Sequence, residues 1–214
     1  MRTFSVAAAV LAIALLTATQ PAAQTASEDP LAIARILAAK YPAQPIMSYI
    51  PALSWSNSFL LSALTGEPQW REKAITEMRP FLSGQAPAIA EPYRLTSFAG
   101  AFAFADAAAL TDDAAALAQR VAAFIVPQNA DDVIGFATGW TDDMFMASSV
   151  LSRVDNGKYA AIVGRLLTTY AAKLQRADGI FIHAAGGPYA WGRGKRLRLA
   201  RRDRSVDAPA GELE

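Results

Sequence analysis

The sequence predicts an all-α fold built from antiparallel helical hairpins. Three features of the 214 residues support this class. Apolar side chains, which make up 53% of the chain, recur at helical spacing in successive runs. Short breaks containing Gly, Pro, Asp or Asn separate these runs, and long alternations of apolar and polar residues, typical of strands, are absent. The chain is long enough to form one well-packed domain.

The first 26 residues are typical of a secretory signal peptide. Arg2 supplies a positive charge, residues 6–18 form an almost unbroken apolar run, and small residues follow as far as Ala26. The run has the length of a signal-peptide core and is short for a membrane span. We therefore expect cleavage near residue 26 and a mature protein that is periplasmic or secreted and free of the membrane. An uncleaved membrane anchor is the alternative.

Seven helices are predicted to follow, and because most of the breaks between them are short, neighbouring helices should pack antiparallel. Their predicted ranges are 30–41, 52–64, 69–82, 97–110, 113–125, 142–154 and 157–175. A weak internal repeat, in which a glycine-containing turn precedes an aromatic residue in the next helix, favours a stack or ring of hairpins. The longer breaks at 84–94 and 127–141 are expected to line the mouth of such a ring.

Composition and charge exclude several classes of function. The chain has no cysteine and a single histidine, so disulfides, thiol catalysis and thiolate metal sites are excluded, and we predict no metal and no cofactor. Seven of the 20 Lys and Arg residues lie between Arg193 and Arg204. Residues 1–192 carry 13 basic and 15 acidic side chains, a balance of −2. The main part of the chain therefore predicts no nucleic-acid partner.

Asp142 and Asp143 allow two interpretations. A carboxylate beside the aromatic ring of Trp140 can act as a general acid or base on a sugar. A hydroxyl followed by two acids is also typical of a helix N-terminus, where Thr141 would cap the helix and the acids would face its exposed N–H groups. The spacing of these residues is compatible with either role.

Four side chains in this part of the chain are suited to binding a sugar acid. Trp140 and Trp191 offer indole faces that match the apolar face of a pyranose, although core packing is the common role of a tryptophan. Arg193, between two glycines, is able to bind a carboxylate through two parallel hydrogen bonds, or else lies on the surface. His183 follows an apolar run and is either a ligand contact or a hydrogen-bonded core residue.

Taken in order, three motifs in this region resemble a known family. They are Trp140-x-Asp142-x-x-Phe145-Met146, Asp178-Gly179-x-Phe181-x-His183 and Trp191-Gly192-Arg193-Gly194. Their order and spacing are similar to those of the unsaturated glucuronyl and rhamnogalacturonyl hydrolases, glycoside hydrolase families 88 and 105. The resemblance implies an (α/α)6 toroid, of which residues 27–194 would form an incomplete copy.

The resemblance also implies an activity and a set of roles. Enzymes of this family act on the unsaturated uronic sugar that polysaccharide lyases leave at a chain end. An aspartate protonates the C4=C5 double bond and directs water to C5, and the resulting hemiketal collapses and releases the next sugar. By motif position, Asp142 would be this catalytic aspartate. The residues that would shape the pocket and bind the substrate are Trp140, Asp143, His183, Trp191 and Arg193.

One element of the family pattern has no counterpart in this sequence. A second aspartate usually lies in an earlier hairpin, but residues 93–97 contain none, and Asp106 lies further into its predicted helix. The position of a second acidic group therefore stays open.

The sequence changes character after Gly194. Residues 195–205 are strongly basic, whereas the family continues with Asn-Gly and an aromatic residue that open another helix. Plausible GC-rich codons for this segment, shifted by one base, encode Asn-Gly-Phe-Ala-Ser-Leu-Ala-Ala-Ile-Ala, which restores that continuation. We therefore expect residues 195–214 to be an out-of-frame or disordered basic tail. Missing hairpins would leave apolar faces uncovered, so we expect weak or no activity from this chain.

Two other functions stay open at this point. The chain could be a non-enzymatic helical-repeat scaffold that binds a saccharide or a protein partner, with Asp142 serving only at a helix N-terminus. The basic tail could instead bind nucleic acid, which predicts salt-dependent DNA binding that is lost when the chain is cut at Gly194.

Overall fold

The structure, a computed structural model, describes residues 29–127, 132–154, 157–187 and 189–190. Its helices are α1 (Pro30–Lys40), α2 (Tyr49–Thr65), α3 (Pro68–Leu82), α4 (Leu95–Phe98), α5 (Ala101–Asp106), α6 (Asp112–Ile125), α7 (Thr141–Leu151) and α8 (Ala160–Leu174). Within these described ranges, strand-like pairing is limited to three isolated bridges. The predicted all-α class is therefore confirmed.

Residues that start and stop helices set the first boundaries. The Asp29 carboxylate accepts a hydrogen bond from the N–H of Leu31 at 3.0 Å, and Pro30 opens α1. α2 ends where Gly66 adopts the left-handed conformation, at φ 72°, and Pro68 then opens α3. The short link between Thr65 and Pro68 folds α2 and α3 into a hairpin.

The helices pack as a row of three hairpins, which are α2–α3, α5–α6 and α7–α8. Neighbouring hairpins meet through their first helices, since α5 contacts α2 on one side and α7 on the other. α1 packs on α2 at one end of the row. This arrangement follows from the short breaks in the sequence, because a short link leaves a following helix no alternative but to return alongside its predecessor.

An aromatic group fills the interface between the first two hairpins. Trp55, Phe81 and Phe104 are buried and meet with ring centroids 6.0–6.2 Å apart, two of the three pairs edge-to-face. The indole N–H of Trp55 donates to Glu77 at 2.9 Å, so the buried polar atom is satisfied. Each ring of this kind contributes roughly 1.5–3 kcal/mol through burial.

The helix predicted over 97–110 is wrong as a single element, because it breaks at Gly100 into α4 and α5. A Cβ at Gly100 would lie 2.9 Å from the backbone nitrogen of Ser48 and 3.0 Å from the sulfur of Met47. The segment before α2 therefore presses against the chain at this point, and only glycine leaves room for it. α5 then ends at Asp106 instead of reaching residue 110.

Several predictions concern residues outside the described ranges. They are the signal peptide at 1–26, the basic tail at 195–214, and the roles of Trp191 and Arg193. In the part of the chain that the structure describes, no helix is both long enough and apolar enough to cross a bilayer.

Candidate active site

The buried carboxylate of Asp143 holds the loop that leads into α7. Asp143 is 1% exposed. Its oxygens accept the N–H groups of Thr138 and Gly139, each at 2.8 Å, and the hydroxyl of Thr138 at 2.9 Å. The hydroxyl of Tyr170, on α8, donates a fourth hydrogen bond at 2.7 Å. Four donors compensate for the burial of one negative charge and tie the loop, α7 and α8 together.

The hydroxyl of Tyr170 stays protonated as the pH rises. Burial raises the pKa of this phenol, and the hydrogen bond to Asp143 and the negative charge of that carboxylate raise it further. Tyr170 therefore continues to donate to Asp143 in mildly alkaline solution, and the anchor of the loop is preserved there.

The predicted Thr141 cap of this helix is wrong. Trp140 occupies the cap position and makes no hydrogen bond through its side chain to the first turn. Thr141 lies inside the first turn, and its buried hydroxyl has no hydrogen-bond partner among the described residues. Gly139, at φ 80°, supplies the left-handed turn that lets Asp143 reach back to the loop N–H groups.

The segment after α8 folds back and carries His183 to the start of α7. A turn reverses the chain direction, with the N–H of Gly179 donating to the carbonyl of Arg176 at 2.9 Å. Phe181 is buried in the core and fixes the returning segment. The N–H of Thr141 then donates to the carbonyl of His183 at 3.0 Å, which joins the two segments directly.

Three of the predicted site residues lie together at this junction. Oδ2 of Asp142 lies 3.4 Å from Nδ1 of His183, within ion-pair distance when the imidazole is protonated. The rings of His183 and Trp140 are in contact, with centroids 5.0 Å apart and planes inclined by 44°. Asp142 is 7% exposed, whereas Trp140 is 47% exposed. The carboxylate is therefore shielded beside the imidazole of His183, which in turn contacts the half-exposed ring of Trp140.

This arrangement has a definite chemical capacity. A carboxyl group beside an imidazole can deliver a proton to a bound molecule and recover one from water. A solvent-facing indole can hold the apolar face of a sugar ring. In the ranges described here, no three His, Asp or Glu side chains are grouped so that they could hold a metal ion.

A cluster of four aromatic side chains includes one residue of the loop that precedes α7. This cluster was not predicted from the sequence. Its members, which we call the aromatic cluster, are Tyr93, Phe98, Phe124 and Phe136, with centroids 5.0–6.2 Å apart. Phe136 adopts φ 61°, a left-handed conformation that costs a non-glycine residue about 1 kcal/mol. The cluster brings the two loops predicted at 84–94 and 127–141 into contact. The only sequence feature that indicated this cluster is the presence of Tyr93 and Phe136 in the two long breaks between predicted helices.

Asp106 is not part of this site. Its carboxylate pairs with Nε of Arg153 at 2.8 Å and accepts a hydrogen bond from the hydroxyl of Ser56. Arg153 also lies over the ring of Phe102. Asp142 lies near the start of α7 and Arg153 just beyond its end, so a rise of 1.5 Å per residue separates them by about 16 Å. Asp106 therefore belongs to the opposite end of α7, as a structural ion pair.

Comparisons with protein-family models, with curated proteins and with solved structures found no match to this chain. The motifs in the sequence and the geometry of Trp140, Asp142, Asp143 and His183 are therefore what indicate a function.

Proposed function

We propose that this chain is a glycoside hydrolase that acts on unsaturated uronyl oligosaccharides, with Asp142 as the proton donor. The observation that supports the proposal most strongly is the position of the Asp142 carboxyl group, 3.4 Å from His183 and shielded from bulk solvent. The adjacent Trp140 is half exposed and is suited to hold a sugar ring against these groups.

In the proposed reaction Asp142 delivers its proton to C4 of the unsaturated sugar. The electron pair of the C4=C5 bond forms the new C–H bond, and the ring oxygen stabilises the positive charge left at C5. Water then adds to C5 and returns a proton to the Asp142 carboxylate. The resulting hemiketal opens to a ketone at C5, and the hemiacetal left at C1 releases the next sugar. Each step conserves charge without a metal or an organic cofactor.

The neighbouring residues support this chemistry in different ways. His183 provides a polar partner for the Asp142 carboxylate between proton release and proton recovery. Asp143 positions the reacting group indirectly, since it fixes the loop and the first turn of α7. Trp191 and Arg193 complete the proposed site, with Arg193 as the partner of the uronate carboxylate.

The proposal includes a setting for the enzyme. The three hairpins are proposed to be part of an (α/α)6 toroid, and residues 1–26 are proposed to direct the protein to the periplasm or the medium. A substrate in that compartment would be an oligosaccharide fragment left by a polysaccharide lyase. The expected turnover of this chain is low, and it should rise when a one-base shift after codon 194 restores the family-like continuation.

An assay on an unsaturated uronyl disaccharide tests the proposal. The double bond absorbs ultraviolet light, so hydration is followed as a loss of absorbance. The chain should consume the substrate, whereas Asp142→Asn should lower kcat by about 100-fold or more because an amide is not acidic enough to transfer a proton to C4. Asp113→Asn is the matched control, since it removes an exposed carboxylate on α6, away from the loops of the site, and should leave the rate unchanged.

Binding measurements separate this proposal from a saccharide-binding scaffold. If the site is catalytic, Asp142→Asn should still bind the disaccharide while failing to hydrate it. A scaffold would bind the disaccharide equally well with either residue and would hydrate it with neither. Absence of turnover by both the chain and its frame-shifted extension would contradict the proposed enzyme.

A further inference from the structure

An apolar groove of about 690 Å³ runs between α1 and α2, and its 19 lining residues include no charged side chain. It contains none of the residues of the candidate active site. α2 itself has no Asp, Glu, Lys or Arg over its 17 residues, although one face of it is exposed. A helix face that meets water is normally polar, so this surface needs a partner.

The exposed face of α2 carries a regular pattern. A row of five side chains, which we call the α2 seam, consists of Ile50, Leu53, Asn57, Leu60 and Leu64. The spacings alternate between three and four residues, which places all five in a stripe about 80° wide on the helix. Ile50 is 61% exposed and Leu64 is 67% exposed. Apolar residues at this spacing form the contact line of paired helices.

The order of side chains in the α2 seam is nearly palindromic about Asn57, its polar residue. Asn57 is the central residue of α2, with two large apolar side chains on either side. When two copies of α2 run antiparallel about a twofold axis at Asn57, Ile50 of each copy falls opposite Leu64 of the other. Leu53 likewise falls beside Leu60. The two Asn57 amides meet at the axis, where each can donate and accept a hydrogen bond.

We propose that the α2 seam is a homodimer interface in which α2 packs antiparallel against α2 of a second copy. Leu37 of α1 and Tyr41, just after the end of α1, widen the contact. Fifteen of the 19 lining residues are at least partly exposed and available to a partner, about three quarters of the roughly 20 residues at the lower end of a standard interface side.

A second copy fits this surface better than other occupants. In a twofold-symmetric contact, a charged residue close to the axis lies near the same residue of the second copy and is repelled by it. A surface without charges avoids that repulsion. The near-palindromic order of the α2 seam matches a second, antiparallel copy of the same seam. A different protein or an apolar ligand is not expected to match that order. The central asparagine also fits a helix pair, where one polar residue selects register and orientation.

Cysteine cross-linking tests the interface directly, because the chain contains no cysteine of its own. Each of these experiments uses the full chain as purified from the cells that produce it. Under mild oxidation Asn57→Cys should form a disulfide-linked dimer, since position 57 lies on the axis. Ile50→Cys alone should not form one, because its two copies lie about 21 Å apart along the helices. An equal mixture of Ile50→Cys and Leu64→Cys should cross-link.

Sedimentation of the unmodified chain at micromolar concentration provides the second measurement, and dimers are the expected result. Leu60→Glu should convert the dimer to a monomer, and mixing it with Leu53→Lys should restore a heterodimer through the opposed charges. Leu110→Glu, at a half-exposed leucine outside the seam, is the matched control and should leave the dimer intact.

The remaining outcomes overturn the proposal. A folded chain that sediments as a monomer would assign the groove to another occupant, such as residues 6–18 of the same chain, an apolar ligand or the further hairpins of the proposed toroid. A dimer that resists Leu60→Glu, or one in which Asn57→Cys fails to cross-link, would place the interface elsewhere.

Discussion

Both ends of α7 place an aspartate beside a basic side chain, but the two pairs differ in their surroundings. At the C-terminal end, Asp106 contacts the permanently charged Arg153 at 2.8 Å and also accepts a hydrogen bond from Ser56. At the N-terminal end, Asp142 lies 3.4 Å from His183, whose ring contacts the half-exposed indole of Trp140. An acid held by a guanidinium and a hydroxyl is structural, whereas a shielded acid beside an imidazole that contacts an exposed indole is suited to acid–base chemistry.

The largest effect is expected when the two aspartates are changed separately. Asp142→Asn should reduce hydration of an unsaturated uronyl disaccharide by about 100-fold or more while leaving the unfolding midpoint close to that of the unmodified chain. Asp106→Asn should do the reverse and lower the free energy of unfolding by about 1–3 kcal/mol with little change in kcat. Urea unfolding and absorbance assays on the two variants measure both effects. Equal losses of activity would remove the distinction between the two ends of the helix.

Asp143→Asn sharpens the comparison within the site. The amide of asparagine places an N–H group where the N–H groups of Thr138 and Gly139 need an acceptor. The loop therefore loses part of its anchor. We expect a loss of about 3 kcal/mol in the free energy of unfolding. Because Asp143 acts by position, kcat should fall without a change in the pH at which activity is highest. A shift in that pH would indicate that Asp143 itself exchanges a proton with the substrate.

Arg153→Met tests the structural pair from its basic side. The substitution leaves the partly buried carboxylate of Asp106 with Ser56 as a remaining partner. Because solvent reaches this carboxylate, the expected loss in the free energy of unfolding is about 2 kcal/mol, less than for a fully buried pair. The variant Arg153→Met with Asp106→Asn should recover part of this loss, because no uncompensated charge is left. Thermal or urea unfolding of the three variants forms a double-mutant cycle, and strict additivity would show that the pair is not coupled.

Tyr170→Phe is expected to have the smallest effect, a loss of about 1 kcal/mol in the free energy of unfolding at neutral pH. This loss should depend on pH. The pKa of Tyr170 is raised in the folded chain, while in the unfolded chain it lies near the ordinary value of 10.0. The stabilisation that this hydroxyl provides is therefore complete below pH 10 and declines above it. Urea unfolding of both proteins from neutral to strongly alkaline pH should show their stabilities converging above pH 10. A constant difference would mean that the phenol ionises equally in both states.

The hairpin organisation could be predicted because its signals are local. Gly66 and Pro68 stop one helix and start the next whatever lies around them, and α1 begins at a recognisable capping acid and proline. The break at Gly100 could not be predicted, since it depends on the approach of Met47 and Ser48 from a distant part of the chain. Local composition at residues 97–110 favours an unbroken helix.

The candidate site was predictable in part. Motif order linked Asp142 with His183 and Trp140, and the structure brings these side chains together. The difference between Asp142 and Asp143 was not predictable, since adjacent acids look alike in sequence and only the fold shows that four donors converge on the second. The α2 seam was equally hidden, because leucines at helical spacing look the same whether they face a core or solvent.

The reaction of an unsaturated uronyl disaccharide in deuterium oxide, followed by nuclear magnetic resonance, tests the role of Asp142 most directly. Proton delivery by this carboxyl group predicts that the released keto sugar carries one deuterium at C4, on a single face, and that Asp142→Asn forms no such product. A product that keeps the double bond, or a deuterated product formed equally fast by Asp142→Asn, would contradict the proposed mechanism.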